Sequence, residues 1–164
     1  LGHTGVRTLL NSGNAVFSSP GRSADGHARA IHDALLERPG LDLHVVVVPS
    51  RTFRSIVEQN PLAPSEDVHS RLLVAFAQQP AAITALSALT PLVQPTERFF
   101  IGGHAAYLLC TDGITKSKVA TALIGKAGKA VTTRNRATVR KLDEMVAEKG
   151  PRQPGPSSSA RYTA

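Results

Sequence analysis

The sequence predicts an α+β fold made of two ferredoxin-like (split βαβ) modules in duplication, of which the first lacks its opening strand and helix. Three observations predict it: two hairpin signals, apolar residues at helical spacing between them, and a matching order of elements in both halves. A chain of 164 residues with 41% hydrophobic residues fits one domain or two small packed halves with a substantial core.

The first half of the chain predicts two strands, a helix, a third strand and a connecting helix. A Gly-Asn pair between two apolar runs is typical of a hairpin. Apolar residues then recur three and four positions apart, a β-branched run follows, and Ser50 is placed to cap the next helix. The predicted elements are strands at 6–10 and 15–17, a helix at 24–36, a strand at 43–48 and a helix at 52–58.

The second half predicts strand, helix, strand, strand, helix, strand, which is the split βαβ order, and then one more helix. Pro80 is a favourable first helical residue, and Gly102-Gly103-His104 separates the strands of the second hairpin. The first half repeats this order without its opening strand and helix, so we infer a duplication with a truncated first copy. The predicted elements are strands at 71–77, 97–101, 105–110 and 130–133 and helices at 80–89, 116–126 and 135–149.

These elements divide the chain into three parts. Residues 1–62 form the truncated first module with its connecting helix, and residues 63–149 form the second module with a C-terminal helix. Residues 150–164 are rich in Pro, Ser and Gly, so this composition predicts a disordered tail.

The net charge of +7 is distributed unevenly along the chain. Residues 1–112 carry eight Arg, no Lys and nine acidic residues, a net charge of −1. Residues 113–164 carry six Lys, five Arg and three acidic residues, a net charge of +8. This asymmetry favours an anionic partner of the C-terminal half.

Three motifs in order resemble a bacterial family of uncharacterised proteins, domain of unknown function 1697. They are a hairpin with Val6-Arg7-Thr8 and Asn11-Ser12-Gly13-Asn14-Ala15-Val16-Phe17, a helix start at Lys116-Ser117-Lys118, and a helix start at Thr133-Arg134-Asn135 followed by Thr138-Val139 and Lys141-Leu142. The resemblance extends from Leu1 to about Val146 and implies two ferredoxin-like modules. Members of that family begin with a further strand, a glycine-rich turn and a helix, and this chain also departs from their pattern at Arg136 and Ala137. The family name implies no activity.

The candidate site is the segment from Gly113 to Leu142, which contains eight cations and no acidic residue. Ser117 and Asn135 each precede a predicted helix, whose first N–H groups can bind phosphate or carboxylate. The alternative is that both are ordinary N-caps and the cations form a solvated face. The candidate ligand-binding residues are Lys116, Ser117, Lys118, Arg134, Asn135, Arg136, Arg140 and Lys141.

Three functions are compatible with this segment. The first is a binding module for nucleic acid or a phosphate-bearing ligand, to which one of Phe99 and Phe100 contributes base stacking unless it packs in the interior. The second is a small enzyme acting on a phosphorylated or carboxylated metabolite, with Lys118 and Arg134 stabilising negative charge. The third is a structural, homodimeric protein without a ligand.

Other chemistry has little support in the sequence. Six scattered histidines are interpreted as surface residues, and Cys110 as a buried, inert thiol. No nucleophile elbow, P-loop or dinucleotide motif occurs, so the catalytic residues are unknown and neither a metal nor a cofactor is expected. A single cysteine and the absence of long apolar runs predict a cytoplasmic protein that does not span a membrane.

Overall fold

The computed structural model describes residues 1–9, 13–38, 40–62, 70–125, 129–148 and 160–163. They form an α+β protein with two four-stranded sheets in which every strand pair is antiparallel. The chain divides into two compact units: residues 1–55 with 140–164, and residues 56–139. The α+β class predicted from the sequence is confirmed.

The first unit begins with a hairpin and a helix, as the sequence predicts. Gly13 has a φ of +73°, in the left-handed region that glycine adopts without strain, just before the second strand. The helix is capped by Ser23, whose hydroxyl accepts a 3.1 Å hydrogen bond from the Gly26 N–H. The elements are β1 (Thr4–Leu9), β2 (Asn14–Ser19), α1 (Ala24–Glu37), β3 (Val48–Pro49), α2 (Ser50–Glu58), which ends in the second unit, and β8 (Ala160–Thr163).

The strand predicted at 43–48 is present only at its end. β3 contains two residues and pairs with β8 alone, Val48 opposite Thr163 and Pro49 opposite Tyr162. Thr163 is the last described residue, so residues 43–47 have no described partner strand to extend the ladder. Val46 and Val47 are buried nonetheless, and Val47 packs with Phe17 and Ala28.

The C-terminal segment differs from the prediction made from its composition. Residues 160–163, which fall in the predicted disordered tail, form β8 and lie between β2 and β3 in the sheet order β1-β2-β8-β3. Main-chain hydrogen bonds to two neighbours hold this strand, so a low apolar content does not prevent it from forming. The rest of the predicted tail, residues 150–159, lies outside the described residues.

The second unit has the predicted order strand, helix, strand, strand, helix, strand. Its sheet order is β5-β6-β4-β7, which places the first strand of the unit in the interior of the sheet. The elements are β4 (Leu72–Ala77), α3 (Pro80–Ala85) continued by a 3-10 helix (Leu86–Leu92), β5 (Glu97–Ile101), β6 (Ala105–Cys110), a 3-10 turn (Ile114–Lys116), α4 (Lys118–Ile124), β7 (Val131–Asn135) and α5 (Arg136–Ala147), whose residues from Arg140 belong to the first unit.

One face of the second sheet packs against α3 and α4. Leu73 and Ala75 of β4 and Leu108 of β6 form a buried cluster with Ile83 and Val119 from the two helices. Because side chains alternate along a strand, the residues between them lie on the opposite face. This alternation decides on which face Arg134 of β7 lies.

Several predicted boundaries shift by a few residues. The helix predicted at 80–89 changes to a 3-10 helix at Leu86 and continues through Pro91. The helix predicted from 116 begins at Lys118, and Ser50 lies inside α2 where it was expected to cap it. The duplication and the division at residue 62 stay predictions, since residues 63–69 lie outside the described part.

Candidate anion-binding surface

The two helix starts predicted as anion sites follow strands that end at the same edge of the second sheet. β6 and β7 are both antiparallel to β4, and Leu73 of β4 pairs with Leu108 of β6 and Asn135 of β7. With neighbouring strands a little under 5 Å apart, the carboxyl ends of β6 and β7 lie about 10 Å from each other. This edge is where the chain enters α4 and α5.

Ser117 is the N-cap of α4. Its hydroxyl accepts a 3.0 Å hydrogen bond from the Ala120 N–H, and its side chain is only 1% exposed. It also forms a hydrogen bond with the Cys110 side chain. The hydroxyl therefore already satisfies a first-turn N–H donor of this seven-residue helix.

Asn135 is the N-cap of α5. It is the last residue of β7, and its Oδ1 accepts a 2.9 Å hydrogen bond from the Thr138 N–H. Both predicted helix starts thus have the N-cap geometry that the alternative interpretation expected.

Arg134 lies on the face of the second sheet opposite α3 and α4. Its register partner is Val74, whereas the cluster beneath those helices takes Leu73 and Ala75 from the same strand. Its Nη1 donates to the Thr132 hydroxyl at 2.7 Å and to the Thr133 carbonyl at 2.8 Å. The side chain is half-buried, and burial lowers the pKa of its guanidinium below its ordinary value.

The lysines of the segment are more accessible than Arg134. Lys116, Lys118 and Lys141 are exposed, and among the described residues none of the three forms an ion pair. Arg140 is exposed and lies 3.8 Å from the Glu144 carboxylate, an i,i+4 contact that solvent weakens.

The candidate residues do not converge on one point. Lys118 begins a helix that packs on one face of the second sheet, and Arg134 lies on the other face. Arg136, half-buried, and the exposed Arg140 and Lys141 lie on α5, where Arg136 and Arg140 are about one helical turn apart. This distribution fits contact with an extended anion better than enclosure of a small one.

The adjacent aromatic residues of β5 lie on opposite faces of the sheet. Phe99 packs against the buried cluster, and Phe100 is 45% exposed with its ring centroid 6.2 Å from that of Tyr107. Tyr107 is buried, and its hydroxyl donates a 2.8 Å hydrogen bond to the Ile56 carbonyl. Burial raises the pKa of Tyr107 to about 12. Phe100 is therefore the aromatic side chain available for stacking.

The interpretation of the histidines as surface residues is wrong for His27 in the first unit. His27 is completely buried, and its ring packs at 5.2 Å from that of His3 and 5.7 Å from that of Phe17. His27 lies on the inner face of α1, three positions after Ala24 and four before Ile31. This helical spacing is the sequence signal that could have identified His27 as buried. Within the described ranges no three His, Cys, Asp or Glu residues gather as a metal site would require.

Cys110 is buried at the end of β6, as expected for an inert thiol. Burial raises the pKa of its thiol above the ordinary value of 9.0. The thiol therefore stays protonated near neutral pH.

A family model described as a protein of unknown function (DUF1697) matches residues 1–107. This chain belongs to that family. The matched span contains the first hairpin of the resemblance, whereas the two helix starts of residues 113–142 lie beyond it and stay a resemblance only. No curated protein and no solved structure matches the chain.

In the part of the chain that the structure describes, the helices are too short or too polar to cross a membrane.

Proposed function

We propose that this family member binds a polyanion, a nucleic acid, through the cations of residues 113–142. The observation that carries the proposal is the acid-free run of eight cations, whose exposed lysines form no ion pair among the described residues. Cations on separate elements fit a strand of phosphates, which releases counterions as each phosphate is neutralised. A small phosphorylated ligand would call for a few cations around one concavity.

Ser117 and Asn135 have a supporting part in this proposal. Their side chains cap α4 and α5, so they fix where the helices begin and where Lys116, Lys118 and Arg136 lie. Contact with phosphate is assigned to the cationic side chains. Phe100 supplies one exposed ring for stacking on a base.

The test is a fluorescence-anisotropy titration of the full chain with labelled single-stranded RNA, single-stranded DNA and duplex at several salt concentrations. We expect log Kd to rise linearly with log salt. Replacing both Lys116 and Lys118 by Ala should reduce the slope by about 1.4 for a single strand, at roughly 0.7 for each phosphate that is no longer neutralised.

The matched control removes two positive charges elsewhere. Arg29 and Arg38 are exposed and lie outside the basic segment, so their double replacement by Ala should leave the slope unchanged. Equal slopes for both double variants would contradict the assignment to this segment. Absence of binding at low salt by the folded protein would reject the nucleic-acid proposal. Thermal shifts with phosphorylated metabolites would then test the enzyme alternative, and gel filtration would test the homodimer alternative.

A further inference from the structure

The two sheets of this protein hold an equivalent strand from different parts of the chain. In the second sheet β4 lies between β6 and β7 and is antiparallel to both. In the first sheet β8 lies between β2 and β3 and is also antiparallel to both. β4 opens its unit, whereas β8 comes from the C-terminal end of the chain.

The order of the neighbouring elements supports this equivalence. The hairpin β1–β2 is followed by α1 and β3, just as the hairpin β5–β6 is followed by α4 and β7. The sheet orders β1-β2-β8-β3 and β5-β6-β4-β7 then agree position by position. β8 therefore occupies the place that an opening strand has in the second unit.

This position needs a strand because its neighbours are buried. β2 pairs with β8 from Val16 to Ser19, and Val16, Phe17 and Ser19 are almost inaccessible to solvent. β3 joins the sheet through β8 alone. Without a strand here, main-chain N–H and C=O groups along β2 would be left without hydrogen-bond partners in a buried setting, which is unfavourable.

We propose that β2 and β3 form a strand-binding site for an extended peptide, occupied in cis by residues 160–163. The site recognises its ligand through the main-chain hydrogen bonds of an antiparallel ladder on both sides, which is β-strand addition. Covalent attachment gives the C-terminal segment a high effective concentration, so it occupies the site ahead of a free peptide of the same sequence.

The first experiment tests the cis occupant and its register in the full chain. Ser18 pairs with Arg161, so Ser18→Cys with Arg161→Cys should form an intramolecular disulfide at low protein concentration. Ser18→Cys with Tyr162→Cys is the matched control, because Tyr162 pairs with Phe17 and is therefore one residue out of register with Ser18. A rate at least tenfold higher for the first pair supports the proposal. Equal rates, or crosslinks between two molecules only, would overturn it.

The second experiment tests whether the site accepts the strand in trans. Tyr162→Pro in the full chain removes a ladder N–H, and we expect hydrogen exchange at the amides of Val16 to Ser19 to accelerate. Adding a synthetic peptide of residues 157–164 should restore protection, whereas the same peptide with the proline should not. Ser158→Pro, outside β8, is the control variant and should leave exchange unchanged.

Two results of this second experiment would reject the site. One is unchanged exchange along β2 in Tyr162→Pro, which would mean that β8 contributes no ladder. The other is failure of the peptide to restore protection, whether the first unit of the variant stays folded or not. The amides of Val74 to Phe76 in the second sheet serve as the internal reference.

Discussion

Two histidines pack around Phe17 in the first unit, and they make the stability of the protein depend on pH. Burial lowers the pKa of His27 from its ordinary value of 6.5, and the charges of His3 and Arg22 lower it further. The pKa of His3 is also lowered, by burial, the N-terminal amino group and Arg22. The cluster is therefore more stable with both rings neutral.

We expect the folded protein to lose stability as the pH falls below about 6.5, because the unfolded chain then takes up protons that the folded cluster resists. His27→Leu should reduce this loss. His32 has the opposite effect on stability. Hydrogen bonds to Asp42 and Asp33 raise its pKa, so its stabilising contribution is present at low pH and is lost as the pH rises through that raised value. Thermal unfolding between pH 5 and 8, with the exposed His104→Gln as control, measures the effect. An unchanged pH dependence in His27→Leu would contradict it.

Ser117 allows the two interpretations of a helix start to be separated. Ser117→Ala should lower the free energy of unfolding by about 1 kcal/mol or somewhat more, because the lost cap leaves the Ala120 N–H unpaired in a buried setting. Ser23→Ala at the more open cap of α1 is the matched comparison and should cost less. Nucleic-acid affinity should stay within twofold of the parent. A large loss of affinity in the folded Ser117→Ala protein would show that the hydroxyl contacts the ligand itself.

At the scale of elements, hairpins, amphipathic helices and the strands β4 and β7 were predictable, whereas the strand expected at 43–48 and β8 were not. The hairpin β5–β6 agrees with the predicted 97–101 and 105–110, because both its alternation and its glycine turn are local signals. The predicted strand at 43–48 depends on a distant partner, and that partner covers only its end. The place of Tyr107 likewise depends on α2, through a contact fifty-one residues away in sequence.

Tyr107→Phe should destabilise the second unit by about 1 kcal/mol, since it leaves the Ile56 carbonyl without its buried donor. Thr84→Val is the matched control, because it removes a hydroxyl that donates at 3.3 Å to the Pro80 carbonyl at an exposed site. Surface changes of this kind cost no more than about 0.5 kcal/mol. Urea unfolding followed by circular dichroism compares the two, and equal midpoints would argue against a stabilising Tyr107 hydrogen bond.

At the scale of the whole molecule, the positive charge comes from one continuous part of the sequence, whereas the first unit is built from two separate parts. The net positive charge is concentrated in the residues after 112. The first unit, by contrast, combines both ends of the chain, residues 1–55 and 140–164.

This uneven charge predicts fast association with nucleic acid at low ionic strength. A field of one sign raises association rates by roughly 10-fold to 1,000-fold, and salt screens it. We expect stopped-flow association rates to fall steeply with salt, and Lys116→Ala with Lys118→Ala to make that dependence shallower. Arg29→Ala with Arg38→Ala, which lowers the net charge equally, should preserve it. The same dependence in both double variants would mean that net charge alone governs association.

The sequence by itself determined the α+β class, most helices and both hairpins, the family and the concentration of cations after residue 112. These depend on local periodicity, turn residues and composition, which a single chain displays directly. The tertiary structure alone decided that Lys118 and Arg134 lie on opposite faces of a sheet, that His27 is buried, and that residues 160–163 complete the first sheet. Strand pairing and buried contacts join residues that are far apart in the sequence. Their stabilising energy therefore depends on distant partners, which a local sequence pattern does not reveal.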